Sequence, residues 1–288
     1  MKQINIRTFK DKWNSYRKNP LSLILFLLVT LAAAITILVL AFLIVYILIK
    51  GIPNLNLDLF AWEYNTENVS MMPAIINTLI MTVISLLIAA PLGIFAAIYL
   101  AEYARRGNKL VGVIRLTAET LSGIPSIVYG LFGMIFFVFA LEWSYSLLAG
   151  AFTLAIMILP LIMRTTEEAL LSVPDSYREG SFGLGAGKLR TVFAIVLPTA
   201  IPGILAGVIL AVGRIVGETA ALLYTSGTVA AVPDSLMGSG RTLSVHMYSL
   251  TSEALYMDQA YATAVVLLVV VIAINAFSSW VAKRIKKV

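Results

Sequence analysis

The sequence predicts an all-α polytopic membrane protein with six transmembrane helices and both termini in the cytoplasm. Three observations carry that expectation. Of 288 residues, 60% are hydrophobic and 12% charged, with a mean hydropathy of +0.93, whereas soluble domains run at about 45–50% apolar and about 25% charged. The apolar residues gather in runs near 21–49, 74–101, 112–141, 147–166, 199–224 and 260–282, lengths that suit a hydrocarbon core crossed by roughly 20 helical residues. Basic residues are rich in every second connecting segment and sparse in the others, which is the positive-inside pattern.

Taken in order, Lys2, Arg7, Lys10, Lys12, Arg17 and Lys18 make residues 1–20 a cytoplasmic N-terminal segment. The apolar run behind them spans about 28 residues, too long for the core of a signal peptide, so it reads as a retained first helix. Residues 21–69 comprise that helix and an outer loop, and residues 52–73 carry Asp58, Glu63 and Glu67 with no basic residue. Arg105, Arg106 and Lys109 close the second run. Only Glu142 to Ser146 separate the third run from the fourth. Arg178, Lys188 and Arg190 follow the fourth, and Arg241 is the sole Lys or Arg in residues 225–259. Lys283, Arg284, Lys286 and Lys287 end the chain.

Finer features agree with a membrane bundle. Trp62 and Trp143 fall at the inferred outer ends and Trp280 near the inner end, as interfacial anchors. Gly203-x-x-x-Gly207 and Gly213-x-x-x-Gly217 permit close approach of a neighbouring helix. Pro91, Pro160 and Pro202 sit in or beside spans, where a kink is tolerated if freed backbone groups find partners.

Composition also excludes functions. Net charge is +6, but the basic clusters set topology and form no nucleic-acid recognition pattern. The absence of cysteine removes disulfides, thiolate metal sites and cysteine nucleophiles. The single histidine, His246, has no carboxylates near it in sequence and reads as a polar loop residue, not a metal ligand. No paired catalytic carboxylates and no nucleophile–base set occur at usable spacing. The chain is therefore expected to be no enzyme and to hold no cofactor.

Between the fourth and fifth runs, residues 167–198 form a cytoplasmic loop long enough to have its own structure. Asp175 or Ser176, after Pro174, is placed to cap a short helix, and Ser176 with Glu179 fits a capping box. Gly183, Gly185 and Gly187 then permit a sharp turn. Gly185-Ala186-Gly187-Lys188 looks like the end of a phosphate-binding P-loop, but Phe182 and Leu189 stand where glycine and Ser or Thr are required, so nucleotide binding by this chain is rejected.

Ionisable residues inside spans are functional candidates by default. Arg214 and Glu218 lie in the fifth run, Arg164 near the inner end of the fourth with Glu167 and Glu168 beyond it, and Arg115 and Glu119 in the third. Arg164–Glu168 and Arg214–Glu218 have the i,i+4 spacing of internal salt bridges. Arg164 and Arg115 are near enough to the interface to snorkel. Arg214 is too deep for that and is left with a buried ion pair or a substrate contact. A guanidinium in a pore favours an oxyanion, whose oxygens match its planar fork.

Glu179-Gly180-Ser181, Gly185 and Ile195-Val196-Leu197-Pro198 reproduce the spacing of a loop motif: Glu-Ala-Ala, three residues, Gly, nine residues, Ile-x-Leu-Pro. In this the chain resembles the permease subunits of binding-protein-dependent ABC importers over roughly residues 70–285, with Gly180-Ser181 in place of two alanines. The resemblance implies a type I importer (MetI-like) permease fold, with Glu179, Gly180, Ser181 and Gly185 in a segment that docks a separate ATPase. ATP with Mg is then expected in that partner. Glu119 to Gly130, Arg164 to Ala169 and Gly213 to Ala221 look further like the phosphate permeases of this family. That likeness implies inward phosphate transport across the cell inner membrane, with Arg164, Arg214 and Glu218 along the path. It also implies a heterodimer with a second permease, two ATPase subunits and a periplasmic or surface phosphate-binding protein. A permease for sulfate or molybdate, and a stand-alone secondary transporter or channel, are the alternatives.

Overall fold

The computed structural model of the protein describes residues 19–105, 107–252 and 254–285. The basic residues Lys2 to Lys18 of the N-terminal segment, Arg106, Lys286 and Lys287 lie outside the described residues. The chain divides at Lys50/Gly51 into two compact units.

One long helix, α1 (Pro20–Gly51), lies in the first unit but for its last residue. Its 32 residues reach about 48 Å at 1.5 Å per residue, ample for a tilted span. Leu28, Ile37, Leu38 and Phe42 are exposed, the surface that lipid tails accept. The hydroxyls of Thr30 and Thr36 donate to the carbonyls of Phe26 and Ala32 at 2.8 and 2.9 Å, so both are satisfied within the helix.

In the second unit, α2 (Met72–Ile98) ends in a wide π-helical turn over Tyr99–Tyr103. Helix α3 (Lys109–Ser122) is followed by α4 (Ser126–Gly133), which continues in π-helical turns through Met134–Ala140. Helix α5 (Leu147–Leu171) is the most buried: Leu154, Met157, Ile158 and Ile162 are sealed between α2 and α8 (Leu197–Val216). Gly93 of α2 lets Ile162 approach, since a Cβ there would stand 3.0 Å from it. Gly203 of α8 faces Ala169, where a Cβ would stand 2.6 Å away, and Gly207 faces the Thr165 hydroxyl. The first of the two small-residue patterns is thus the close contact of α8 with α5. The second is not a contact, because no atom lies within 4 Å of a Cβ built on Gly213.

Five helices are long and apolar enough to cross a membrane, and the pair α3–α4, bent by 101°, makes a sixth crossing if taken together. The third run is therefore not one straight helix. Pro125 explains the break: it has no N–H for the Leu121 carbonyl, and its ring keeps the preceding residue out of the helical region. The Tyr129 hydroxyl donates to that stranded Leu121 carbonyl at 2.7 Å, and the Ile124 amide does so at 3.1 Å.

The fifth run also ends earlier than its hydropathy indicates. Helix α8 stops at Val216, Gly217 caps it, and a separate turn, α9 (Ala220–Leu223), follows. Beyond it, residues 225–242 fold back over α2. Asn77 donates to the carbonyls of Ala231 and Arg241 at 2.9 and 3.2 Å. The Thr78 hydroxyl accepts from the Leu243 amide at 2.9 Å, at the start of α10 (Leu243–Ser252). Helix α11 (Met257–Ile285) closes the unit.

His246, expected as a loop surface residue, is fully buried in α10. It lies edge-on to Tyr64 at 6.2 Å, and Arg241 covers the same ring at 4.7 Å. Trp143 packs in an aromatic cluster with Phe137 and Phe152, at 5.3 and 5.4 Å, while Trp62 and Trp280 are exposed.

Candidate functional site

Three groups of side chains hold the residues for which a function is expected. The first lies where the two broken spans touch. Gly130 of α4 sits against Ala221 of α9, where a Cβ would stand only 2.7 Å from the Ala221 Cα. Glu218, just past the end of α8, accepts from the Ala221 amide at 3.1 Å, and its own carbonyl accepts from Ser244 at 2.5 Å. Glu218 is buried. Arg214 stands about 26 Å along α8 from Leu197 at 1.5 Å per residue, half-buried, and close enough to Tyr129 to act on it electrostatically.

The Arg214–Glu218 bridge that the i,i+4 spacing offered is not formed: among the described residues no ion pair joins them. Gly217 ends the helix between the two, so the register that would align them is lost. Glu218 serves as a cap to α9, and Arg214 has no carboxylate partner among the described residues. Tyr129, inside a stretch compared with the phosphate permeases, is the member that sequence reasoning did not single out. Its signal was an aromatic hydroxyl four residues after a proline inside an apolar run.

The second group lies near the inner end of α5, around a cavity of about 280 Å³ lined by Arg115, Glu119, Arg164, Glu167 and Glu168. Arg164 is half-exposed and pairs with Glu168 at 3.0 Å and with Glu119 at 3.6 Å. Arg115, half-exposed, binds the nearly buried Glu167 carboxylate at 2.5 Å, bridging α3 to α5. Two arginines thus meet three glutamates, and the charge of Arg164 is offset where it stands.

The third group is the cytoplasmic segment. Helix α6 (Asp175–Gly183) starts with Pro174 at its cap position and no side-chain cap, so the capping box of Ser176 and Glu179 is not formed. Asp175 stands inside the first turn and contacts Arg178 at 3.2 Å. The helix ends in a Schellman motif: Ala186 N–H donates to Ser181 at 3.1 Å and Gly185 N–H to Phe182 at 2.9 Å, with Gly185 at φ +83°. That left-handed residue favours glycine. Helix α7 (Lys188–Thr191) and a wide turn then lead into α8.

Glu179, Gly180 and Gly185 are exposed, and no atom stands within 4 Å of a Cβ built on Gly180 or Gly185. Tyr177, Phe182, Leu184 and Leu189 are exposed around them, with Leu184 at 92%. Ser181 differs from the other three motif residues. It is buried, and its hydroxyl bonds that of Thr191 at 2.8 Å, tying α6 to α7.

Arg178, one of the basic residues that follow the fourth run, turns inward. Its Nη2 donates to the Glu102 carboxylate at 2.6 Å and to the Leu170 carbonyl at 2.9 Å, and its Nη1 to the Val173 carbonyl at 2.7 Å. The hydrogen bond it donates to Glu102 raises the pKa of this guanidinium above its ordinary value, so it stays charged. Glu102 was not singled out in the sequence; its signal was an acid at the basic, inner end of a span.

Residues 89–287 match a family described as binding-protein-dependent transport system inner membrane component. The probable ABC transporter permease protein YqgI of Bacillus subtilis (strain 168) is 34% identical over 280 residues, covering 89% of this chain and 93% of that protein. The phosphate transport system permease protein PstA of Pasteurella multocida (strain Pm70) is 36% identical over 233 residues, covering 80% and 82%. A chain in the crystal structure of a bacterial alginate ABC transporter, in complex with alginate pentasaccharide-bound periplasmic protein, superposes with a TM-score of 0.68. It is 17% identical, over 96% of this chain and 98% of that one, a likeness of fold.

Proposed function

The chain belongs to the family of binding-protein-dependent transport system inner membrane components, and from that premise we propose that it is the permease subunit that passes inorganic phosphate inward in an ATP-driven importer. One observation carries the choice of an anion: Arg214, in the outward half of α8, stands without a carboxylate partner among the described residues, at the junction of the two broken spans. An arginine in a membrane is costly and is kept where it lowers a barrier for an ion of opposite charge. Its fork matches two oxygens of a phosphate.

In this reading phosphate is handed to the outer mouth by a binding protein and meets Arg214 first. Glu218 fixes the end of α9 and so the shape of the junction. Arg164 is a second contact nearer the cytoplasm, freed when Glu119 or Glu168 yields. Each contact is transient, since tight binding along the path would slow release.

ATP with Mg is bound and hydrolysed in a separate subunit seated on Glu179, Gly180 and Gly185, whose exposed apolar neighbours Tyr177, Phe182 and Leu184 need cover in the cytoplasm. Ser181 holds that helix in place from behind. The expected assembly is a heterodimer with a PstC-like permease, two PstB-like ATPases and a PstS-like phosphate-binding protein.

Reconstitution of that assembly in vesicles tests the reading. It predicts ATP-dependent uptake of radiolabelled phosphate in preference to sulfate. Equal uptake of sulfate, or phosphate uptake with no ATPase present, would contradict it.

A further inference from the structure

The sharpest unexplained arrangement outside the anion path is the set of bonds around Arg178. We propose that Arg178 is a positioning residue that couples α6 to the membrane helices: one guanidinium ties the docking helix to the cytoplasmic ends of both α2 and α5. The proposal rests on the importer reading above and names how motion at the docking segment reaches the spans.

Consider what each bond joins. Glu102 sits in the π-helical turn that ends α2, where the Ala104 amide bonds the Tyr99 carbonyl at 2.9 Å, five residues back. Its carboxylate faces Arg178, and the two side chains are only 7% and 15% exposed. The carbonyls of Leu170 and Val173 belong to the last turn of α5 and the link beyond it, at 2.9 and 2.7 Å. The Leu170 carbonyl also accepts from the Val173 amide at 3.3 Å, so Arg178 joins an existing turn at the end of α5. Asp175 adds a contact within α6 at 3.2 Å. Three segments thus converge on one planar group. Lysine has a single ammonium centre and cannot hold that pattern.

A second bond makes the helix a rigid lever. The buried Ser181–Thr191 pair, at 2.8 Å, joins the far end of α6 to the stretch that enters α8. Helix α6 is therefore held to the ends of α2 and α5 through Arg178 and, through Ser181, to α7, which leads into α8. Its opposite side, with Glu179, Tyr177 and Leu184, is exposed. A displacement imposed there moves the ends of all three spans together. An open cavity of about 830 Å³ beside Glu102, Val111, Arg115 and Arg178 leaves room for such movement.

The test compares the reconstituted wild-type complex with Glu102→Gln and Arg178→Lys complexes. Two quantities are read: phosphate moved per ATP hydrolysed, and stimulation of ATP hydrolysis by the loaded binding protein. The expected result is an assembled complex in which both fall about fivefold or more, the lower range of measured coupling. Glu102→Gln keeps a hydrogen-bond acceptor and so falls less than Arg178→Lys. Wild-type ratios in both variants would overturn the proposal. So would failure of both to assemble, since the bonds would then serve folding alone. Should the wild-type complex respond to its binding protein yet move no phosphate, the substrate reading fails, while stimulation still scores the coupling.

Discussion

Inside the outer segment the His246 imidazole touches the edge of Tyr64, and the Arg241 guanidinium covers the same ring. Burial, and then the positive charge of Arg241, lower the pKa of this histidine to about 3 from 6.5. A proton therefore binds more readily to the unfolded chain than to the folded one. The stability owed to neutral His246 is whole above pH 6.5 and is lost as pH falls from there toward about 3. A His246→Phe protein should accordingly lose less of its melting temperature between neutral pH and about pH 5 than the wild type does. Equal losses would contradict the assignment. The sequence could place His246 outside the spans but not inside a core, because Tyr64, which packs against it, is remote in the chain. The same limit hid the partners of Arg178 and Arg115: the charges were visible, but which carboxylate each would meet depended on how α2, α3 and α5 pack.

Helices α5 and α8 show how much one missing side chain decides. Any Cβ at Gly207 collides with Thr165, whereas one at Gly213 meets nothing within 4 Å. Gly207→Val should destabilise the protein by about 1–3 kcal/mol, the usual range for overpacking. Gly213→Ala should leave the melting temperature unchanged or raise it slightly. Melting of the detergent-solubilised protein separates the two, and equal effects would refute the assigned contact. The breaks in the third and fifth runs belong to this scale as well. Hydropathy averages over a window and cannot see a turn whose residues remain apolar, so the spans were legible and their interruptions were not. Pro125 was a written signal for the first break. Gly217 was a weaker one for the second, where Glu218 takes the role of a cap.

At the scale of the molecule, the proposed function asks two sets of residues to act at a distance. Arg214 lies toward the outer side of α8, and the proposed docking segment around Glu179 lies beyond its inner end. Alternating access requires that the second set govern exposure of the first, and the close seam of α5 with α8 at Gly203 and Gly207 offers a stiff path between them. Spacing from Glu179 through Gly185 to Pro198 carried the family resemblance because it is a local pattern in one stretch of chain, and residues 89–287 match that family. The anion junction was only half readable: Arg214 stood out by depth, but its separation from Glu218 follows from where α8 ends.

Docking itself predicts a phenotype. Glu179→Lys should lower the amount of ATPase that co-purifies with the assembled permeases, and full retention of the ATPase would argue against this face.

The central claim is that Arg214, which has no carboxylate partner among the described residues, serves an anion. The most direct measurement is initial phosphate uptake by vesicles holding the assembled complex with wild-type Arg214, Arg214→Lys or Arg214→Gln. The account predicts that Arg214→Gln slows uptake about tenfold or more, equivalent to ~1.4 kcal/mol on the barrier, with Arg214→Lys in between. Uptake by Arg214→Gln at the wild-type rate, in complexes that assemble normally, would contradict it.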